Sequence, residues 1–175
     1  DPGQKIRQQV PLELRHLSYY LLTMSRAFVK ETDAVETLPE RPVSEHPNYV
    51  TARGLALIED ALDKAEKDYA AAQAAADRDA LASSGRDLHY WQKRRASAEL
   101  VPPPPDNLTV HFGSKVTIER DDDRKQSWQI VGEDEADPAH GTLSYVSPVA
   151  KALAGRKVGD LVTAGNSEAE IVAIE

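Results

Sequence analysis

The chain has 175 residues, 41% hydrophobic and 29% charged, with a formal net charge of −8 and no cysteine. Its size and composition are typical of a soluble protein with one or two small domains. The acidic balance argues against a free-standing duplex-DNA binder, which normally carries a basic face, so action on nucleic acid is expected to go through a protein partner. The lack of cysteine excludes disulfides and thiolate metal sites. No membrane span and no signal peptide are expected, and a cytoplasmic location is favoured.

Residues 1–46 are predicted to form an irregular head and linker. Its second half, from Glu31 to Pro47, is rich in Pro, Glu and Thr and predicts a loose linker. Met24 opens the run Met-Ser-Arg-Ala-Phe, which is typical of a natural start. Residues 1–23 are therefore interpreted either as native sequence or as an upstream extension.

Residues 47–101 predict an antiparallel helical hairpin. Apolar and small residues recur at alternating steps of three and four in two series, from Leu55 to Ala76 and from Leu81 to Ala98, with Trp91 in the second. Thr51 is a suitable N-cap for the first helix. The fold point falls between Ala75 and Asp79, so Asp77 and Asp79 are expected at the tip.

Residues 102–107 contain four consecutive prolines and predict a stiff spacer. Residues 108–175 predict a bent antiparallel sheet with one helix, which makes the chain α+β. That helix is expected from Pro148 to Leu153 with Ser147 as its N-cap, and Asp121–Asp123 is expected to form a turn. The predicted strands are Leu108–Phe112, Lys115–Arg120, Ser127–Val131, Thr142–Tyr145, Leu161–Ala164 and Glu170–Ile174.

Four runs in this last segment resemble, in order and spacing, the C-terminal domain of the GreA/GreB transcript cleavage factors. They are Phe112-Gly-Ser-Lys-Val-Thr117, Ile130-Val-Gly-Glu-Asp-Glu-Ala-Asp137, Ser147-Pro-Val-Ala-Lys-Ala-Leu153 and Gly155-Arg-Lys-Val-Gly-Asp160. Val50-Thr51-x-x-Gly54-Leu55 is similar to the start of the family's first helix. Met24-Ser-Arg-Ala-Phe28 is similar to the start of GreB-like members. The chain is thus identified as a GreB-like member with a shortened hairpin.

The resemblance implies that residues 108–175 have an FKBP-like fold and dock on the rim of the secondary channel of bacterial RNA polymerase. The family's docking loop matches Ser144, Val146, Ser147 and Pro148, although Ser147 and Pro148 also suit a simple helix start. The hairpin would insert toward the polymerase active site. RNA and DNA would be contacted only indirectly, no membrane would be involved, and a monomer is expected.

The hairpin tip departs from the family pattern. Gre factors carry a Gly-Asp-Leu-x-Glu-Asn-like run whose carboxylates help to hold a second Mg²⁺ of the polymerase, a cation that prefers oxygen ligands. Here Leu81 and Ser84 align with those carboxylates. Asp77 and Asp79 are the candidate catalytic tip acids, and the alternative is that they only cap the second helix. No tightly bound cofactor and no metal site of the chain's own are expected, beyond the Mg²⁺ of the polymerase.

Other charged residues have two interpretations. Arg86 and the run Lys93–Arg95 are expected to face RNA or the channel wall, or else to form ion pairs with acids of the first helix, which are Glu59, Asp60, Asp63 and Glu66. The acids Glu133–Glu135 and Asp137 are interpreted as a surface loop.

Two functions from other classes remain as alternatives. A peptidyl-prolyl isomerase needs an aromatic-lined pocket, for which this domain offers only Phe112, Trp128 and Tyr145. A coiled-coil adaptor unrelated to transcription is the second. Within the transcription hypothesis, channel occupancy without cleavage is favoured over cleavage stimulation, because the hairpin is short and the tip run is missing.

Overall fold

Three α-helices, a two-stranded sheet and a five-stranded sheet are the main elements of the part of the chain described by the computed structural model, residues 39–165 and 167–175. These residues belong to one unit, Leu38–Glu175. The predictions about the start at Met24, the extension 1–23 and the first part of the linker lie outside the described residues.

The helical hairpin is confirmed, and its fold point lies where the sequence predicts it. Helix α1 spans Ala52–Ala75 and helix α2 spans Arg78–Ala96. Thr51 caps α1 by accepting a hydrogen bond from the Gly54 amide at 2.9 Å. Ala76 ends α1 in the left-handed region, with φ of 52°, which turns the chain within two residues. At about 1.5 Å per residue, α1 is about 36 Å long, and α2, with 19 residues, is shorter.

The buried stripe of the hairpin is made mostly of small side chains. On α1 the buried residues are Gly54, Ile58, Ala65 and Ala72, at steps of four and seven. The second predicted series of apolar-face residues includes Arg95, and this position is wrong: Arg95 is exposed, and the buried residue of α2 is Arg94, one place earlier. Ala98, the last residue of that series, lies beyond the end of α2. Arg94 follows Trp91 by three residues, so it lies on the same helix face.

A short parallel pair closes the base of the hairpin. Strand β1 (Tyr49–Val50) precedes α1, and strand β2 (Glu99–Leu100) follows α2, with Tyr49 opposite Glu99. The Glu99 amide donates to the Asn48 carbonyl at 2.8 Å, and the Val101 amide donates to the Val50 carbonyl at 3.0 Å. The two ends of the hairpin are therefore joined before the proline spacer begins.

The remaining strands form one mixed sheet. They are β3 (Lys115–Arg120), β4 (Lys125–Val131), β5 (Thr142–Ser144), β6 (Leu161–Ala164) and β7 (Ser167–Ile174), in the order β5-β4-β3-β7-β6. All neighbours are antiparallel, as predicted, except β4 and β5, which are parallel. Two 3₁₀ turns, Glu133–Glu135 and Pro138–His140, carry the chain back between them, so β5 runs in the same direction as β4.

One predicted strand is wrong. Leu108–Phe112 forms no strand. Within this segment, the backbone hydrogen bonds to distant parts of the sheet domain are made at Val110. The Val110 amide donates to the Arg156 carbonyl, and the Val110 carbonyl accepts from the Gly155 amide, both at 2.8 Å. Leu108 itself is 73% exposed.

Helix α3 spans Pro148–Leu153 as predicted and covers one face of the sheet. Inward residues of β3 and β7, among them Val116, Ile118 and Ile171, pack with Leu153 in the main core. The turn at Asp121–Asp123 is confirmed, with Asp123 at φ of 58°. Within the described residues, no helix is long and apolar enough to cross a membrane.

Candidate functional site

Asp77 and Asp79 lie at the hairpin tip, as predicted. The Asp77 Oδ1 atom accepts hydrogen bonds from the amides of Asp79 at 3.1 Å and Ala80 at 3.0 Å, so Asp77 is the N-cap of α2. Asp79 lies in the first turn, where a carboxylate is favoured by the helix dipole. Both acids are exposed. A structural role thus accounts for both positions, while a role in cleavage stays a prediction.

The predicted docking residues form a rigid corner, Ser144–Pro148, at the start of α3. The Ser147 amide donates to the Ser144 carbonyl at 2.9 Å, and the Ser147 hydroxyl accepts from the Ala150 amide at 3.2 Å. Pro148 is exposed at the first helical position. The Val146 amide donates to the Ser144 hydroxyl at 3.4 Å. The corner therefore presents a fixed backbone to any partner.

Tyr145 connects this corner to the base of the hairpin. Its ring lies 5.5 Å from that of Tyr49 and 5.9 Å from that of Phe112, and its hydroxyl donates to the Pro47 carbonyl at 2.5 Å. Burial, with the nearby charge of Glu133, raises the pKa of Tyr145. Of the three aromatic residues considered for an isomerase pocket, Phe112 and Tyr145 thus pack against the Tyr49 ring. The third, Trp128, packs against the core of the sheet domain.

Arg94 joins the end of α2 to the sheet domain. Its Nε donates to Asp134 Oδ2 at 2.6 Å, and its Nη2 donates to Asn48 Oδ1 at 2.7 Å. The Arg94 side chain is 2% exposed and that of Asp134 is 11% exposed, so water screens this ion pair little. Tyr90 donates to Asp134 Oδ1 at 3.1 Å, and burial together with the Asp134 charge raises the pKa of Tyr90.

Glu135 follows Asp134 in the same 3₁₀ turn and contacts the start of α1. The Thr51 hydroxyl donates to Glu135 Oε2 at 2.5 Å, and Arg53 Nε lies 4.0 Å from Oε1. The carboxylate lies at the positive end of the α1 dipole. Arg94, Asp134, Thr51 and Glu135 are hereafter called the clamp. The interpretation of Glu133–Glu135 as a surface loop is wrong, because the Glu135 side chain is only 2% exposed.

Two glycines allow this close approach. A Cβ at Gly54 would lie 2.7 Å from Glu135 Oε2, and a Cβ at Gly132 would lie 2.4 Å from the Tyr49 carbonyl oxygen. The sequence reasoning missed the clamp altogether. The available signal was the pair of glycines, one beside the α1 cap and one directly before the acidic run.

The segment just before the hairpin is attached to α2. Arg41 lies with its guanidinium 3.8 Å from the ring centroid of Tyr90 and bonds to Asp87 at 3.1 Å. Glu40 accepts from Lys93 at 2.8 Å and lies 3.2 Å from His89. We call Glu40 and Arg41 the collar. The prediction of a loose linker up to Pro47 is therefore wrong for this part.

The basic run pairs with acids, but mostly not those predicted. Arg95 pairs with Glu59 across the hairpin at 2.8 Å, as expected. Lys93 instead pairs with Glu40, and Arg94 with Asp134. Arg86 Nε lies 3.9 Å from Asp87.

A cavity of about 340 Å³ lies between the start of α1, the proline spacer and the sheet. Its lining includes Pro102–Pro104, Leu100 and Glu135, and Phe112 is its one aromatic residue. An aromatic-lined proline pocket is not formed there. Within residues 39–165 and 167–175, no group of three or more His, Asp or Glu side chains could hold a metal ion.

Comparison with known proteins gives a family match to the spacer end and the sheet domain. The family described as "Transcription elongation factor, GreA/GreB, C-term" matches residues 105–175. Transcription elongation factor GreA of Nitrobacter winogradskyi is 47% identical over 72 residues, covering 38% of this chain and 46% of that protein. Transcription elongation factor GreB of Neisseria meningitidis is 38% identical over 96 residues, covering 51% of this chain and 59% of that protein.

The chain thus spans about half the length of the curated relatives it matches. Because GreA and GreB proteins both appear among these relatives, the narrower GreB-like assignment stays a prediction. The solved structure of GreA factor homolog 1 from Thermus thermophilus covers 74% of this chain and 99% of its own, at 21% identity and a TM-score of 0.37. Residues 105–175 thus match the C-terminal domain of the GreA/GreB family of transcription elongation factors.

Proposed function

We propose that the chain binds bacterial RNA polymerase at its secondary channel in the cytoplasm. The sheet domain docks on the channel rim through the corner, and the hairpin enters the channel toward the active site. The match of residues 105–175 to the C-terminal domain of the GreA/GreB family carries this proposal. The corner supports it, because Ser144, Val146, Ser147 and Pro148 present a rigid, partly exposed backbone.

The hairpin acts by occupying the channel, and it modulates elongation or backtracked complexes without supplying a metal site. Asp77 uses Oδ1 for two backbone amides of α2, so the cap competes with any metal for that oxygen. Asp79 alone gives too few oxygen ligands for Mg²⁺. The metal ion and its remaining ligands would have to be supplied by the polymerase. The chain holds no cofactor of its own, and it acts as a monomer that reaches RNA and DNA only through the polymerase.

The test measures binding and cleavage separately. Binding to core polymerase is measured by pull-down and titration for the full chain and for Ser147→Ala/Pro148→Ala. RNA cleavage is then followed on stalled, backtracked complexes for the wild-type chain and for Asp77→Asn/Asp79→Asn, in which asparagine keeps a capping oxygen at position 77.

We expect binding that the corner variant weakens at least tenfold, slowed or altered elongation, and cleavage no faster than that of polymerase alone. Cleavage that the wild-type chain accelerates and the asparagine variant does not would replace occupancy with cleavage stimulation through the tip acids. A chain that does not bind polymerase would contradict the proposal and favour an adaptor outside transcription.

A further inference from the structure

We propose that the clamp aims the hairpin: Arg94, Asp134, Thr51 and Glu135 are positioning residues that fix the direction of both helices relative to the docking corner. This rests on the proposed function for its biological meaning, but its geometry is tested in the free protein. Docking and delivery of the tip are then separable properties, carried by different residues.

The first step of the argument is that the clamp holds each helix by its base. Asp134 contacts the last turn of α2 through Arg94, and Glu135 contacts the first turn of α1 through Thr51. The two acids are adjacent in one 3₁₀ turn, Glu133–Glu135. A single contact would leave the hairpin free to pivot about it, whereas two contacts on two helices oppose that rotation.

The second step is that the length of the hairpin amplifies a small tilt at its base into a large displacement of its tip. Helix α1 has 24 residues, about 36 Å at 1.5 Å per residue, so a tilt of about 10° at the base moves the tip by about 6 Å. Such a displacement is about the spacing of neighbouring side chains on a helix face. Small losses of rigidity at the clamp are therefore expected to change what the tip reaches.

The third step connects the clamp to the corner. Tyr145, inside the corner, donates to the Pro47 carbonyl, and the next residue, Asn48, exchanges hydrogen bonds with Arg94. Asn48 is 5% exposed. A path of hydrogen bonds and one peptide link thus runs from the docking corner to the base of α2; it is exposed at Tyr145–Pro47 and buried at Asn48–Arg94. The angle between docking surface and hairpin is therefore set within this one region.

The experiment measures hairpin direction in the full chain. Because the sequence has no cysteine, Ala74→Cys near the tip and Glu168→Cys on the sheet give two unique sites for spin labels, both exposed. Pulsed electron paramagnetic resonance then gives the distribution of distances between them. It is recorded for the otherwise unchanged chain, for Arg94→Met, for Asp134→Asn and for the control Arg95→Met, whose exposed side chain pairs with Glu59.

We expect the Arg94→Met and Asp134→Asn distributions to be at least twice as wide as those of the unchanged chain and the control. Helix content by circular dichroism should be the same in all four. If Arg94→Met does not fold, Asp134→Asn still tests the proposal, because in that variant Arg94 keeps its hydrogen bond to Asn48. Equal widths in the clamp variants and the control would overturn the proposal.

A second measurement uses polymerase. A photo-crosslinker on Ala74→Cys should reach the active-site region at least fivefold less in the clamp variants, while the Kd for polymerase changes less than threefold. A loss of affinity that matches the loss of crosslinking would overturn the separation of docking from aiming. If the unchanged chain does not bind polymerase, the proposed function fails. The widths of the spin-label distance distributions then test by themselves whether the clamp fixes the hairpin direction.

Discussion

The Arg94 guanidinium and the Asp134 carboxylate lie 2.6 Å apart, buried between the hairpin and the sheet domain. Forty residues separate them in the sequence. The pair joins the last turn of one helix to the 3₁₀ turn after β4, and it is completed by Asn48 and Tyr90. The contact between hairpin and sheet domain is thus charged, and the arginine is hydrogen-bonded through both Nε and Nη2, so its disruption should be costly.

Replacing Arg94 with Ala should destabilise the fold by about 3–5 kcal/mol, because it leaves the Asp134 carboxylate buried without its cation. The neighbouring substitution Arg95→Ala removes an exposed pair with Glu59 and should cost less than about 1 kcal/mol. Urea unfolding followed by circular dichroism compares the two. Equal losses would mean that the Arg94 pair is solvated and of little weight.

Gly132→Ala should destabilise the chain by about 1–3 kcal/mol, because its Cβ would lie 2.4 Å from the Tyr49 carbonyl oxygen and the backbone would have to move. Gly85, in the middle of α2, is the matched control: its nearest contact would be at 3.4 Å, to the Tyr69 ring. Gly85→Ala should stabilise the chain by up to about 1 kcal/mol through helix propensity. Thermal unfolding of the two variants gives the comparison, and a neutral Gly132→Ala would argue against tight packing at the base.

Asp77→Ala should fray the start of α2 and cost about 0.5–2 kcal/mol, since two backbone amides lose their acceptor. Asp77→Asn keeps a capping oxygen and should cost much less. The hydrogen-exchange rates of the Asp79 and Ala80 amides measure this loss of protection directly. If the amides are protected equally in the alanine and asparagine variants, the cap contributes nothing to the stability of α2.

The collar should detach from α2 in acid. Lys93, by its hydrogen bond and its charge, together with His89, lowers the pKa of Glu40 below its ordinary value. A carboxyl with a lowered folded-state pKa contributes fully above its ordinary pKa, and the contribution is lost as the pH falls through the lowered value. Hydrogen exchange of residues 39–46 should therefore speed up below the ordinary glutamate pKa.

The control for this prediction is Glu40→Gln, which cannot titrate at this position. Its exchange over the same segment should be fast at both neutral and acidic pH, after correction for the intrinsic rate. A wild-type segment whose corrected exchange does not change with pH would contradict the role of Glu40, and it would leave Arg41 and its contact with Tyr90 as the main attachment.

The sequence by itself determined the elements whose signals are local. Alternating three- and four-residue steps and the cap at Thr51 predict the two helices, and Ser147-Pro148 predicts α3. The same holds for the tip at Asp77 and for the turn at Asp121–Asp123. Each of these depends on residues a few positions apart, so neighbouring side chains carry the information.

Only the tertiary structure decided which charged residues are buried. Arg94 and Arg95 look alike in the sequence, yet one pairs inside the domain junction and the other pairs at the surface. Glu135 reads as a surface acid until Thr51, 84 residues away, is brought against it. Likewise β5 lies parallel to β4 because of how the intervening turns return the chain. Burial and pairing are properties of two distant segments meeting, which no local pattern encodes.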